Sequence, residues 1–169
     1  MDMNTKKISP KDVFITTLEF SEQKWRVEGD TVVKTQKNKP SGNESVDKLA
    51  DIISLNMMKR LNFYEKAMGT KPRVLNGFMM MCSGMSLKDW LNQYILLAAK
   101  ELLLETDYNL REVGKRLCFS GENTFGRWFL RIEGELASDW RSRAKYRRKK
   151  EDAKEVEEAL RLYRRERNS

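Results

Sequence analysis

Residues Arg116–Arg141 read RLCFSGENTFGRWFLRIEGELASDWR. A turn, Cys118-Phe119-Ser120-Gly121, separates a helix end from a second helical run. In that run Phe125, Phe129 and Ile132 recur at helical spacing and Gly134 marks the stop. Two helices joined by so short a turn need a small residue where they cross. Four residues later they need one that tolerates the turn's backbone, commonly glycine with positive φ. Gly114 and Cys118 stand at that spacing. Cys118 either takes the left-handed backbone or sits in a rebuilt turn.

The second helix of such a pair needs an apolar inner face and polar residues near its start. Phe125 and Phe129 supply the first; Glu122, Asn123, Thr124 and Arg127 supply the second. Asparagine pairs adenine bidentately, arginine pairs guanine, glutamate accepts from cytosine and threonine meets a thymine methyl. Arg116, Arg131 and Arg141 are candidates for phosphate contact. Glu122 fits equally well as a charge favoured by the helix dipole. Trp90 reads as core, and Trp128 as core or as a contact between units.

Upstream, Ser86–Leu104 reads SLKDWLNQYILLAAKELLL. Ser86 with Asp89 forms a capping signature, and Leu87, Trp90, Leu91, Tyr94, Ile95, Ala98 and Leu102 keep a 3.6-residue period. Apolar residues spread to nearly all faces, as a central connecting helix requires. Asn109 and Glu112 cap the next helix. Further upstream, Val46, Leu49, Ile52, Ile53 and Met57 mark another helix, from Ser45 onward. A short apolar segment, Phe63–Met68, ends at Gly69. The next helix, with Pro72 near its N-terminus, ends at Gly84. The order short helix, turn, helix therefore occurs twice, around Phe63–Cys82 and Leu110–Glu133.

The run Ala99–Arg141 resembles the C-terminal half of the AraC/XylS-family DNA-binding domain. It matches at Ala99, Leu102, Leu103, Thr106, Leu110, Val113, Phe119, Phe125, Arg127, Phe129, Gly134 and, conservatively, at Trp140 before Arg141. Met68–Leu91 is similar to the first half through Gly69, Leu75, Gly84, Ser86, Trp90 and Leu91. The chain departs from the family pattern at Cys118 and Ala137 in the second copy. In the first copy it departs at Lys71, Gly77 and Met79, and in the connecting helix at Ile95. The resemblance implies two helix-turn-helix subdomains joined by a long helix, binding adjacent major-groove segments of double-stranded DNA and regulating transcription. Lys71, Arg73 and Asn76 are the first copy's candidate readers. RNA polymerase or another regulatory protein is a further partner such a regulator would have.

The fold expected is mainly α. A short N-terminal β-hairpin and linker fill 1–43, with Trp25, Val27, Val32 and Val33 around Gly29-Asp30. Residues 44–85 form the first subdomain, 86–104 the linker helix, 105–143 the second subdomain and 144–169 a basic helical tail. The chain of 169 residues carries a formal net charge of +8. Basic and acidic residues number 8 and 6 over 1–43, 13 and 13 over 44–140, and 12 and 6 over 141–169. Most of the excess thus lies in the tail, where Arg141, Arg143, Arg147, Arg148, Lys149 and Lys150 are candidates for phosphate contact by counterion release, unless they form a solvated basic face. Ala153, Val156, Leu160 and Tyr163 add a 3-4-3 apolar spacing, short for a coiled coil.

The sequence has no histidine, and its two cysteines, Cys82 and Cys118, form no metal-binding pair. No phosphate-binding glycine loop is present. An enzyme, a cofactor and a metal are therefore not expected. No apolar run approaches the roughly 20 residues of a membrane span, and no apolar leader opens the sequence. The expectation is a bacterial, cytoplasmic protein without a membrane partner. The N-terminal segment is short for the family's usual effector-binding barrel, so no small-molecule effector is expected. The alternative is an AraC-like protein-interaction module that docks through the hairpin and tail and binds DNA non-specifically or not at all.

Overall fold

The computed structural model describes residues 6–15, 25–28, 31–34 and 38–169. Its helices are α1 (Pro10–Val13), α2 (Glu44–Asn56), α3 (Leu61–Ala67), α4 (Val74–Ser83), α5 (Leu87–Glu105), α6 (Leu110–Arg116), α7 (Glu122–Glu133) and α8 (Ala137–Arg167). Strands β1 (Trp25–Glu28) and β2 (Thr31–Lys34) pair antiparallel, with Trp25 opposite Lys34. The turn between them, at 29–30, lies outside the described residues.

The starts of the helices follow local chemistry. Asn43 accepts from the N–H groups of Ser45 and Val46 and so caps α2 ahead of the expected Ser45. Met57, with φ of 52°, ends that helix at Asn56. Ser86 caps α5 by accepting from Asp89 N–H at 3.1 Å. Asn109 and Glu112 form a reciprocal capping box on α6. Pro72 stands two residues before α4 rather than in its first turn. Val74 N–H bonds Lys71 C=O, and Arg73 at φ 72°, ψ −20° takes the third position of a type II turn. Proline suits the second position of that turn, so it delays the helix instead of opening it.

α5 is the common wall. Leu87, Trp90, Leu91, Tyr94, Ile95, Leu96, Ala98, Ala99, Leu102 and Leu103 are all buried along it, together with Asn92. α4 packs near its start, α6 and α7 along it, and α8 near its end. Asn92 Oδ1 accepts from Trp128 Nε1 at 3.0 Å, so Trp128 is both core and a tie between α7 and α5. Lys100 pairs with Glu133 at 2.8 Å and lies over the Trp140 ring.

Two parts differ from the expected hairpin and linker. Residues 9–13 form a helical turn, and residues 38–43 pack on the helices rather than crossing solvent. Val13 is fully buried, Phe14 bridges to Asn38, and Lys39 N–H donates to Val13 C=O. Asn38 is 2% exposed. Its amide donates to Asp51 Oδ1 at 3.0 Å, and its carbonyl accepts from Tyr94 OH at 2.6 Å. Burial pushes the Tyr94 hydroxyl well above its ordinary pKa and keeps it a donor. The segment also reaches α4 and α5. Ile8 N–H donates to Cys82 C=O, and Trp90 Nε1 donates to Ile8 C=O, both at 3.0 Å. No local window reveals this packing, because Asn38 looks like an ordinary linker residue until its partners are known.

Replacing Asn38 with Ala leaves the Tyr94 hydroxyl without its buried acceptor. The variant is expected to lose about 1–3 kcal/mol of unfolding free energy in urea titration. An unchanged midpoint would show that Asn38 does not hold α2 to α5.

Candidate nucleic-acid interface

Each of two short helices, α3 and α6, is followed by a turn and a second helix, α4 and α7. In the second unit the crossing is close. A Cβ built on Gly114 would lie 3.0 Å from Phe125 Cβ and 3.7 Å from Gly121 C=O. The shorter distance is inside ordinary contact, so this position favours glycine for steric reasons. Cys118 has φ of 63° and is exposed. It therefore keeps the turn and takes the left-handed backbone itself. Its N–H bonds Lys115 C=O, and the next N–H, on Phe119, bonds Gly114 C=O at 2.9 Å.

The inner face of α7 packs Phe125, Trp128 and Phe129 in a cluster with Phe119, with Phe119 and Phe125 edge to face at 5.4 Å. Glu122, Asn123, Thr124, Arg127 and Arg131 are all exposed on this helix. Asn123, Arg127 and Leu130 fall on the side opposite Phe125 and Phe129. Arg127 Nε bonds Asn123 C=O one turn back at 3.3 Å, which lays the side chain along the helix. The Thr124 hydroxyl contacts Ser120 Oγ at 3.0 Å. Glu122 is the first residue of the helix, so its carboxylate sits at the positive end of the dipole. Arg116 stacks over the Tyr108 ring at 4.0 Å.

The first unit differs. Lys71 and Arg73 are exposed in the turn before α4. Asn76 is engaged within the protein, where its Oδ1 accepts from Leu87 N–H at 2.9 Å and so ties α4 to the start of α5. Leu75 and Met79 are buried, while Val74, Met80 and Met81 are exposed.

The tail is also built differently from the expected division at 143–144. α8 is one helix of 31 residues beginning at Ala137. Arg141 Nε donates to Leu103 C=O at 2.9 Å, and Lys145 Nζ donates to Thr106 C=O at 3.1 Å and to Asp107. Arg148 pairs with Glu105. These three cations, spaced four and three apart, form a stripe on the C-terminal end of α5, where unpaired carbonyls and the dipole favour positive charge. Burial lowers the Arg141 pKa, as a structural guanidinium in a partly dry site requires. Arg143 pairs with Glu135. Arg147 and Lys149 are exposed, and Lys150 lies over the Tyr146 ring. Every residue from Tyr146 to Ser169 is exposed.

Two residues that hold the site together, Lys145 and Asn92, carry no mark of it in the sequence motifs. The cation spacing on α8 is the one signal that points to Lys145. Asn92 gives none, because its partner lies 36 residues away.

Two second helices, α4 and α7, held on one connecting helix define a tandem helix-turn-helix domain. The family model described as a helix-turn-helix domain matches residues 64–143. The DNA-binding domain of AdpA, a global transcriptional factor solved in complex with a target DNA, aligns with a TM-score of 0.52 at 22% identity. The alignment covers 60% of this chain and 96% of that one. The C-terminal domain of the response regulator YesN from Fusobacterium nucleatum aligns at 0.54 with 20% identity, covering 59% and 99%. That of AraT, a response regulator from Geobacillus stearothermophilus, aligns at 0.55 with 19% identity, covering 61% and 88%. No curated protein sequence matches this chain. Residues 64–143 form a helix-turn-helix domain, similar in fold to these DNA-binding and response-regulator domains. No helix among the described residues is long and apolar enough to cross a membrane.

The left-handed backbone at Cys118 costs about 1–2 kcal/mol for a residue with a Cβ. Glycine removes that cost but adds unfolded-state entropy. Cys118→Gly is therefore expected to be neutral or up to about 1 kcal/mol more stable, and Cys118→Val less stable than wild type, by thermal or urea unfolding. A clear loss on Cys118→Gly would overturn the strained-turn reading.

Proposed function

We propose that this protein is a bacterial, cytoplasmic transcription regulator that binds specific double-stranded DNA, seating its two helix-turn-helix units in adjacent segments of the major groove. The observation that carries this reading is the two-sided character of α7. Its aromatic face is buried, and its opposite face presents Asn123, Arg127 and Arg131 to solvent. Side chains of these kinds match the hydrogen-bonding edges of base pairs and the phosphates beside them. AdpA's DNA-binding domain, similar in fold, is described in complex with a target DNA.

In this reading Asn123 and Arg127 contact bases. Glu122 and Thr124 flank them, and Arg131 and Arg116 lie toward phosphates. Lys71 and Arg73 approach the backbone beside α4. Of the six tail cations, Arg141, Arg143 and Arg148 are engaged with the protein's own groups. Arg147, Lys149 and Lys150 are the ones left to meet phosphate. No small-molecule effector is invoked; RNA polymerase or another regulatory protein is the second partner.

A protein-interaction module is the second reading. It draws on the outer part of α8, where Val156, Leu160 and Tyr163 are exposed at 59%, 48% and 57% on one helical face.

Selection from a random duplex library, followed by binding at two salt concentrations, tests the main reading. Enrichment of a defined sequence is the expected result; binding without any preference at either salt would leave only the interaction module. On the selected duplex, Arg127→Ala should cost about 1–3 kcal/mol and relax preference at one position. Equal loss on every sequence would make Arg127 a phosphate contact. The triple change Arg147→Gln, Lys149→Gln and Lys150→Gln should weaken binding on all sequences and flatten the log–log salt slope by about 3. Truncation after Lys150 should leave that slope nearly unchanged, since residues 151–169 hold five basic and six acidic side chains.

A further inference from the structure

The outer face of α4 lacks the chemistry that α7 presents. Its sequence, VLNGFMMMCS from Val74 to Ser83, contains no charged residue. Three of its side chains form hydrogen bonds: Asn76, itself exposed, accepts from Leu87 N–H through Oδ1, and Cys82 Sγ accepts from Asn43 Nδ2 at 3.6 Å. Ser83 is buried and bonds Met79 C=O. Leu75 and Met79 point into the core, and Gly77, two residues from each, lies directly opposite them. Around Gly77, at positions three and four residues away, stand Val74, Met80 and Met81, exposed at 55%, 47% and 69%. A Cβ on Gly77 would meet nothing within 4 Å.

The fold therefore gives no reason for glycine there. In a helix interior glycine costs about 1 kcal/mol relative to alanine. A group approaching from outside would supply the reason. The result is a shallow apolar notch on the helix, floored by backbone and rimmed by three apolar side chains.

We propose that α4 recognises thymine by its 5-methyl group, seated in the notch at Gly77, rather than by hydrogen bonds to base edges. The inference rests on the DNA-reading function proposed above and assigns the chemistry of one of its two units. The thymine methyl is the apolar group that the major groove offers. The surroundings favour a polyanion over an apolar protein partner: Lys71 and Arg73 are exposed in the turn that leads into α4, and neither that turn nor α4 carries a carboxylate. The two units would then read by different means, α7 through donors and acceptors and α4 through shape and methyl contact.

The test uses the full chain and the duplex obtained by selection. Each thymine is replaced in turn by uracil, which removes the methyl and keeps every hydrogen-bonding group. One or two positions in a single segment are expected to lose about fourfold in affinity each, the worth of one buried methyl. Gly77→Ala should raise the melting temperature, by relieving the helix, yet weaken binding and abolish the uracil penalty at those positions. Met81→Gln, at an exposed site, should reduce the same penalty without altering the fold. A uracil scan without penalty, or one that both variants leave unchanged, overturns the inference and leaves the apolar face to a protein partner. Failure to enrich any duplex overturns the DNA-reading function itself, and the inference with it.

Discussion

The structure depends on the burial of α5 on nearly every side. A 19-residue helix with ten buried apolar residues has no face left to slide on. Both helix-turn-helix units pack on it, and polar ties fix them in rotation as well as in contact. Asn76 holds α4 to the start of the helix, and Asn92 holds Trp128 of α7 at its middle. Arg141 and Lys145 close its C-terminal carbonyls. The buried Asn92 amide is costly to leave unpaired, so it specifies one register. At 1.5 Å per residue the helix is about 28 Å long. That is commensurate with the ~34 Å between successive major-groove faces, and a stiff spacer is what a two-groove reader needs.

The units joined by this spacer are unequal, and the inequality has a local cause. In the second unit the crossing at Gly114 and the turn at Cys118 leave α7 free to begin at Glu122, with its polar residues at the start of the helix. In the first, the Lys71–Val74 turn delays α4 to Val74, so the two cations precede the helix instead of riding on it. Asn76 is then committed to α5. What remains outward on α4 beside it is Val74, Gly77, Met80 and Met81, and no change of rotamer turns these four into hydrogen-bonding readers.

The second unit was legible in the sequence because its determinants are local. The Gly114–Cys118 spacing, the Asn109–Glu112 cap and the Phe125–Phe129 period all lie within a few residues of their effects. The two alternatives for Cys118 were legible too, and its φ decides between them. The central helix was plain from its breadth of apolar residues. What the sequence hid was long-range pairing. Asn38 meets Tyr94 56 residues away, and Arg141 meets Leu103 38 residues away. A polar linker and a basic tail are the natural readings of those segments when the partners are unknown.

The continuity of α8 changes what its charge can do. From Arg141 to Lys150 it holds seven basic residues and no acidic one, while from Glu151 to Glu158 it holds five acidic and one basic. A rigid helix keeps these blocks apart at 1.5 Å per residue, so the acidic block cannot fold back to neutralise the basic one. At roughly 0.15 M salt the Debye length is about 8 Å, so Glu151, within four residues of Arg147, Lys149 and Lys150, offsets the end of the basic block, while the start of that block acts on α5. The positive charge of the first block is thus concentrated at the base of the helix, beside the C-terminal end of α5. Beyond the acidic block, from Ala159 to Ser169, the chain turns basic again, with four basic residues and one acidic. A tail that looked like one basic arm in the sequence has two parts: an inner part that closes α5, and an outer part whose exposed Val156, Leu160 and Tyr163 face solvent.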